Sequence, residues 1–343
     1  MTGTSGKEPA RARAVLHGIS SRAWEHPADQ GALVALRKLR GFDSTLKAMA
    51  SFVNERAVRL FYLGTAIRVD ERQFTRLHHA LAEAGRVLDA PELPELFVIA
   101  NPEVNAMTIG INKPIIVVTS GLVDLLDDDA MRFVLAHELG HALSGHALYR
   151  TLLGRLLQLT GVLSAVPVGG LGFRVLVGAL LEWQRKSELS ADRAGLLAVQ
   201  DPACAFRTHM QTASGGHLED LDPTSFFAQG QEYDDAVDLR DSLIKLMMLE
   251  QQSHPFAVVR ATELRRWVDS GEYTRILAGD YPRREDDASA SMSDAAKAAA
   301  RSYSESFRNG GDAIGKLVHD AAGVVGSVRT WLGDTFRRGD EPG

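Results

Sequence analysis

The residues best equipped for chemistry in this chain of 343 amino acids are His137, Glu138 and His141, in the run His137-Glu138-Leu139-Gly140-His141. Phe133, Val134 and Leu135 precede them, and the segment predicts a helix. At about 100° per residue, positions 137 and 141 stand about 400° apart around the axis, so both imidazoles leave nearly one face. Two nitrogens so placed can reach one metal ion. Glu138 projects beside them, near enough to take a proton from a metal-activated water without being a ligand itself. A zinc site that activates water is the chemistry this pattern serves, provided a third ligand exists.

Two residues compete for that place. His146 lies nine positions after His137, about 180° around a continuous helix, and faces away unless the helix breaks at Gly145. It also misses the longer pattern that asks for glycine at 144 and histidine at 147, where this chain has Ser144 and Ala147. His146 therefore reads as structural. The better candidate is Glu188, in Ser187-Glu188-Leu189-Ser190-Ala191-Asp192 on a later helix, where Glu188 and Asp192 are four apart and share a face. A carboxylate from there completes a His-His-Glu set with one position open for water. Asp192 can accept the outward N–H of a ligating histidine and so fix its tautomer.

The elements that must position these groups follow from periodicity. Residues 1–30 are rich in Gly, Ser, Arg and Pro without helical spacing and read as a mobile tail. Over 31–90 apolar positions recur at three and four, as in Phe74, Leu77, Leu81, Ala84 and Leu88, which predicts helices. The runs 96–99, 107–111 and 115–118 are β-branched and broken by Asn, Gly and Pro, predicting a small sheet of about three strands. Asp127, Asp128 and Asp129 then cluster where carboxylates cap free amides and oppose the macrodipole at the start of the His137 helix. Further helices are expected over 174–200 and 255–270, and a charged, alanine-rich linker over 283–300.

Composition narrows the classes. The chain is 45% apolar and 24% charged, the balance of a globular protein, and 38 basic against 44 acidic residues leave a net charge of −6. Nucleic acid is not an expected partner. The single cysteine, Cys204, can form no intrachain disulfide, and no apolar stretch of signal-peptide length opens the sequence, so a cytoplasmic location is expected.

The chain resembles the gluzincin metallopeptidases of family 48, which contains the HtpX-like heat-shock proteases and the CAAX prenyl proteases. The resemblance is carried, in order, by Asn105-Ala106-Met107, Val118-Thr119-Ser120-Gly121-Leu122, His137-Glu138-Leu139-Gly140-His141, Glu188 to Asp192, and Ser253-His254-Pro255 with Arg260, spanning about residues 60 to 270. It implies one Zn2+ per chain held by His137, His141 and Glu188, with Glu138 as general base and acid and Asp192 orienting a ligand. It also implies that the strand around Met107 borders the cleft and takes a polypeptide as an added strand, with Asn105 anchoring that edge. His254 stays open between three roles: donor to the oxyanion of the scissile carbonyl, occupant of the fourth zinc position that holds the enzyme off, or an ordinary helix start before Pro255. Arg260 either assists at the oxyanion or pairs with an acid.

Two apolar stretches stand apart. Residues 156–173 carry no charge, but Gly161, Pro167, Gly169, Gly170 and Gly172 interrupt them, and the region is too short for two spans of about 20 residues. A helical hairpin over 152–182, packed on the catalytic helices, is expected. Residues 314–336 form an amphipathic stripe whose basic charges are offset by acidic ones. Either stretch offers a surface for peripheral membrane contact or self-association.

The sequence thus predicts an α+β, predominantly α, zincin-like fold. Its parts are a tail (1–30), a helical region (31–90), a metallopeptidase core (91–282), and a linker with a C-terminal helix (283–343). The expected activity is zinc-dependent endoproteolysis of unfolded or peptide-like chains. The competing expectation is a self-inhibited or inactive relative that binds polypeptides as a chaperone or adaptor.

Overall fold

The computed structural model describes residues 12–38, 54–163, 170–235 and 256–304, of which 158–163, 170–176 and 234 are described by backbone alone. A four-stranded mixed sheet lies against a helical body. Strands β1 (Ile67–Arg68), β2 (Glu95–Ile99), β3 (Ala106–Ile109) and β4 (Ile115–Thr119) are ordered β1-β2-β4-β3. β2 and β4 run parallel, pairing Phe97 with Val117, and β3 returns antiparallel on β4, pairing Met107 with Val117. The three runs read from sequence are β2 to β4; the fourth strand is a two-residue pair on β2 that no period could announce.

Every residue of β4 is buried, as a central strand covered on both faces demands. Ile116 and Val118 join the main core, while Ile115 and Val117 pack with Phe97 under Val58 and Tyr62 of helix α2 (Glu55–Thr65). The main core is helical. Helix α3 (Thr75–Val87) contributes Leu77, Leu81 and Ala84. Helix α4 (Ser120–Leu125) brings Leu122, and α5 (Asp128–Leu143) brings Phe133, Leu135 and Leu139. Asp127 caps α5, its side chain accepting from the Ala130 amide at 2.9 Å, with Asp128 and Asp129 in the first turn as expected.

After α5 the chain reverses at Ser144-Gly145, where Gly145 takes φ +70°, and α6 (His146–Leu163) begins at once. The long helix α7 (Gly170–Val199) then passes beneath α5, contributing Ala194 and Leu196 to Val199 to the shared core. Their contact is close: a Cβ on Gly140 would lie 2.6 Å from the Cβ of Ala194. Helices α8 (Pro202–Ser214), α9 (Pro223–Asp235), α10 (Ala257–Asp269) and α11 (Glu272–Leu277) complete the body.

Two expectations are corrected. Residues 12–30 are no tail: Leu16, Ile19 and Trp24 are buried, Trp24 donates to Ser144 Oγ at 3.0 Å, and helix α1 starts at Pro27 and runs to Arg37. Three isolated apolar residues carry no period, but each fills a cleft made elsewhere. The linker is likewise ordered over its described part, since Ile19 bridges Arg283, Asp287 accepts from Ser20 at 2.6 Å, and a helix over 294–304 buries Ala296 and Ala300.

Tyr149, Leu153 and Leu156 of α6 meet Val177, Leu180 and Trp183 of α7 and Ala32 and Leu36 of α1 in a second core. The connection at the tip of the expected hairpin and the amphipathic stretch 314–336 lie outside the described residues. Among the described residues no helix is long and apolar enough to cross a membrane.

Candidate metal centre

Crossing of α5 over α7 brings the separated motifs together. His137 Nε2 and His141 Nε2 are 3.2 Å apart. Glu188 places one carboxylate oxygen 3.4 Å from the first nitrogen and the other 3.3 Å from the second. All three side chains are buried, Glu188 completely. Four ligands at about 2.0–2.1 Å in a tetrahedron stand about 3.3 Å from one another, which is the spacing of this triangle.

Two further observations fit a cation here. Glu188 Oε2 is buried and accepts no hydrogen bond. Arg150, from α6, brings Nη1 to 2.6 Å from His141 Nε2 and 2.5 Å from Glu188 Oε1, so a positive charge already sits where these two acceptors converge. A carboxylate and two imidazole lone pairs facing one point form a donor set for a divalent transition metal.

Around this set the electrostatics differ from group to group. Burial works against the charged form of Glu188, yet Arg150 and Arg260 hold its carboxyl well below the usual range. Burial, aided by the Arg150 charge, keeps His141 neutral with its pKa well below 6.5. Burial also opposes charge on His137, but the carboxylates of Asp192 and Glu188 beside it outweigh that and lift the ring to about 9. Asp192 meets His137 Nδ1 at 3.0 Å and is held far below the carboxylate range by Arg260 and by its hydrogen bonds, against the larger effect of burial.

Glu138 is buried beside the triangle, one oxygen 3.9 Å from His137 Nε2. Thr108 of β3 donates to its other oxygen at 2.6 Å. Glu138 is thereby tied to the edge strand. A cleft of about 590 Å³ opens over these groups, lined among others by Asn105, Ala106, His137, Glu138, His209 and Arg260.

The remaining expected residues fall out as follows. Asn105 lines the cleft, and its Oδ1 is buried without a hydrogen-bond partner. Met107 points to the opposite sheet face, packed against Phe97, Ile115 and Val117, so only its main chain can serve the cleft. Arg260 resolves to acid pairing: it grips Asp192 at 2.7 and 2.5 Å and lies 3.3 Å from Glu188. His254 lies outside the described residues. His146 is buried, and the break at Gly145 turns it back toward His141, Nδ1 to Nδ1 at 3.0 Å.

Sequence reasoning missed Thr108, Arg150 and His209. His209, on α8, is buried with Nε2 unpartnered, 3.6 Å from Asp192, and burial lowers its pKa to about 4. No spacing rule links any of the three to the His137 helix; only their meeting in space does.

This constellation agrees with the comparisons. A model of peptidase family M48 matches residues 71–268. The chain belongs to peptidase family M48, whose members are metallopeptidases. It is 35% identical over 259 residues to the plastoglobule-localized metallopeptidase 48, chloroplastic, of Arabidopsis thaliana, covering 74% of each chain. It is 35% identical over 91 residues to the protease HtpX homolog of Bacillus subtilis, 26% of this chain and 29% of that one. Against protease HtpX of Xanthomonas axonopodis pv. citri it is 25% identical over 150 residues, 43% of this chain and 50% of the other. The chain thus spans half or less of each of these two HtpX proteins. No solved structure matches.

Proposed function

We propose that this protein is a zinc-dependent endopeptidase that cleaves extended, unfolded polypeptide. The observation that carries the reading is the buried triangle of His137, His141 and Glu188 with Glu138 alongside, reached from an open cleft that His137 and Glu138 line. Two imidazoles and a carboxylate in tetrahedral spacing suit zinc, which when bound polarises a carbonyl and acidifies a water to a pKa of about 7.

The chain's own residues do the rest. Glu138, steadied at one oxygen by Thr108, takes the proton of the attacking water on the other and returns it to the leaving amine. Asp192 accepts from His137 Nδ1 and so keeps Nε2 free to ligate. Strand β3 is the edge of its sheet, and the buried Asn105 Oδ1 beside it is an acceptor for a substrate N–H. A substrate laid along β3 is read through its main chain, which suits a broad set of unfolded chains.

The test is metal analysis followed by cleavage of a quenched unfolded peptide. One zinc per chain, cleavage abolished by a chelator and restored by zinc are expected. Glu138→Gln should keep its zinc and lose about 10²- to 10⁴-fold in rate, the usual share of a general base. Full activity in that variant overturns the assignment. A zinc-loaded wild type that binds unfolded chains without cutting them supports instead the polypeptide-binding alternative.

A further inference from the structure

The two candidate ligand histidines are backed differently. His137 has the carboxylate of Asp192 directly on Nδ1. His141 has none there, and its Nδ1 instead meets Nδ1 of His146 at 3.0 Å. Beyond that ring, His146 Nε2 lies 3.1 Å from Oδ2 of Asp29, a residue of α1 that is only 2% exposed and precedes the family match altogether.

The proton positions along this line follow from its end points. His141 Nε2 accepts from Arg150 Nη1 at 2.6 Å, so the imidazole proton sits on Nδ1. That N–H donates to His146, whose Nδ1 must then be the acceptor and whose Nε2 must carry the hydrogen. A carboxylate carries no hydrogen of its own, and Asp29 Oδ2 stands 3.1 Å from that nitrogen as the counter-charge at the end of the line. Each link has one workable direction, and all of them run from the ligand face of His141 to the charge on Asp29. The carboxylate is itself pinned, with Trp183 Nε1 donating to Oδ1 at 2.8 Å and Ser190 Oγ to Oδ2 at 2.6 Å. Its place in the first turn of α1 favours a negative charge.

We propose that Asp29, carried by the N-terminal helix, is a positioning residue of the metal centre, acting through His146 to fix the tautomer and raise the basicity of His141. The inference rests on the zinc reading given above. It places the N-terminal segment in the metal site rather than merely beside the family core, and gives each ligand histidine a carboxylate, one direct and one relayed through a ring.

The experiment measures zinc affinity of the full-length protein by competition with a chromophoric chelator, alongside the melting temperature of each metal-free variant. Asp29→Asn keeps the shape but loses the charge, and is expected to bind zinc about 10- to 100-fold more weakly, the usual effect of losing a partner behind a ligand. His146→Gln is expected to lose as much, and the double variant no more than either single one, because the two act in series. Trp183→Phe removes one of the hydrogen bonds that pin Asp29 but keeps its carboxylate beside His146, and should weaken zinc binding by clearly less than Asp29→Asn does. Unchanged affinity in a folded Asp29→Asn, equal losses in Asp29→Asn and Trp183→Phe, or additive losses in the double variant each overturn the proposal. Should Asp29→Asn fail to fold, His146→Gln alone decides, since unchanged affinity there breaks the line at its centre. A wild type that takes up no zinc instead sinks the reading of the site itself.

Discussion

Glu138 and Cys204 are both buried groups with chemical potential, and their surroundings give them opposite fates. Glu138 is anchored by the Thr108 hydroxyl at the cleft, with strand β3 behind it. Thr108→Val should therefore leave zinc content unchanged and slow cleavage about tenfold, a modest fraction of what the base itself contributes; an unaltered turnover number in steady-state kinetics would remove Thr108 from the machinery. Cys204 is 6% exposed, and burial pushes its thiol from 9.0 up to about 11. At pH 8 it should react with a disulfide reagent about 100-fold more slowly in the native protein than in denaturant, because the thiolate is the reactive form. The sign of the linkage follows: the unfolded thiol ionises first, so its contribution to stability is complete below about pH 9 and is lost as pH rises toward 11. Denaturant unfolding of Cys204→Ala should show a flatter loss over that window. The His137 motif was legible at this scale because both rings ride one helix turn. Thr108, Arg150 and His209 were not, since their roles depend on strands and helices whose neighbours no local pattern names.

At the scale of elements, the site exists because α5 and α7 approach closely enough for a glutamate on one to face two histidines on the other. Gly140 makes that approach, as an added Cβ would stand 2.6 Å from Ala194. Gly140→Ala is expected to cost about 1–3 kcal/mol, the range for overpacking a filled interior, and to weaken zinc binding by prising the ligands apart. Denaturant unfolding and chelator competition check the two halves separately, and a variant as stable and as tight as wild type would show that the crossing tolerates a methyl group. The cap on α5 was readable from the three aspartates, as was the helix bearing Glu188. The reversal at Gly145 was named only as a condition on His146, because a Ser-Gly pair near a helix end allows a break but does not require one.

Over the whole molecule, the N-terminal segment is a structural member of the core. Trp24 is 1% exposed and ties to Ser144 at the α5–α6 reversal. Trp24→Ala should cost about 3–5 kcal/mol in denaturant unfolding, as for other buried large aromatics; a loss under 1 kcal/mol would mean that residues 12–30 dock too weakly to matter. The sequence by itself determined the His137 helix, its cap, the carboxylate pair on a second helix and the three main strands. All of these rest on spacing within one element, which the backbone period converts directly into a shared face. Only the tertiary structure decided which way His146 turns, that Arg260 serves Asp192 and Glu188, and that residues 12–30 are packed. Those outcomes rest on contacts between groups far apart in the chain, whose meeting is set by the fit of whole surfaces rather than by any repeat along the sequence.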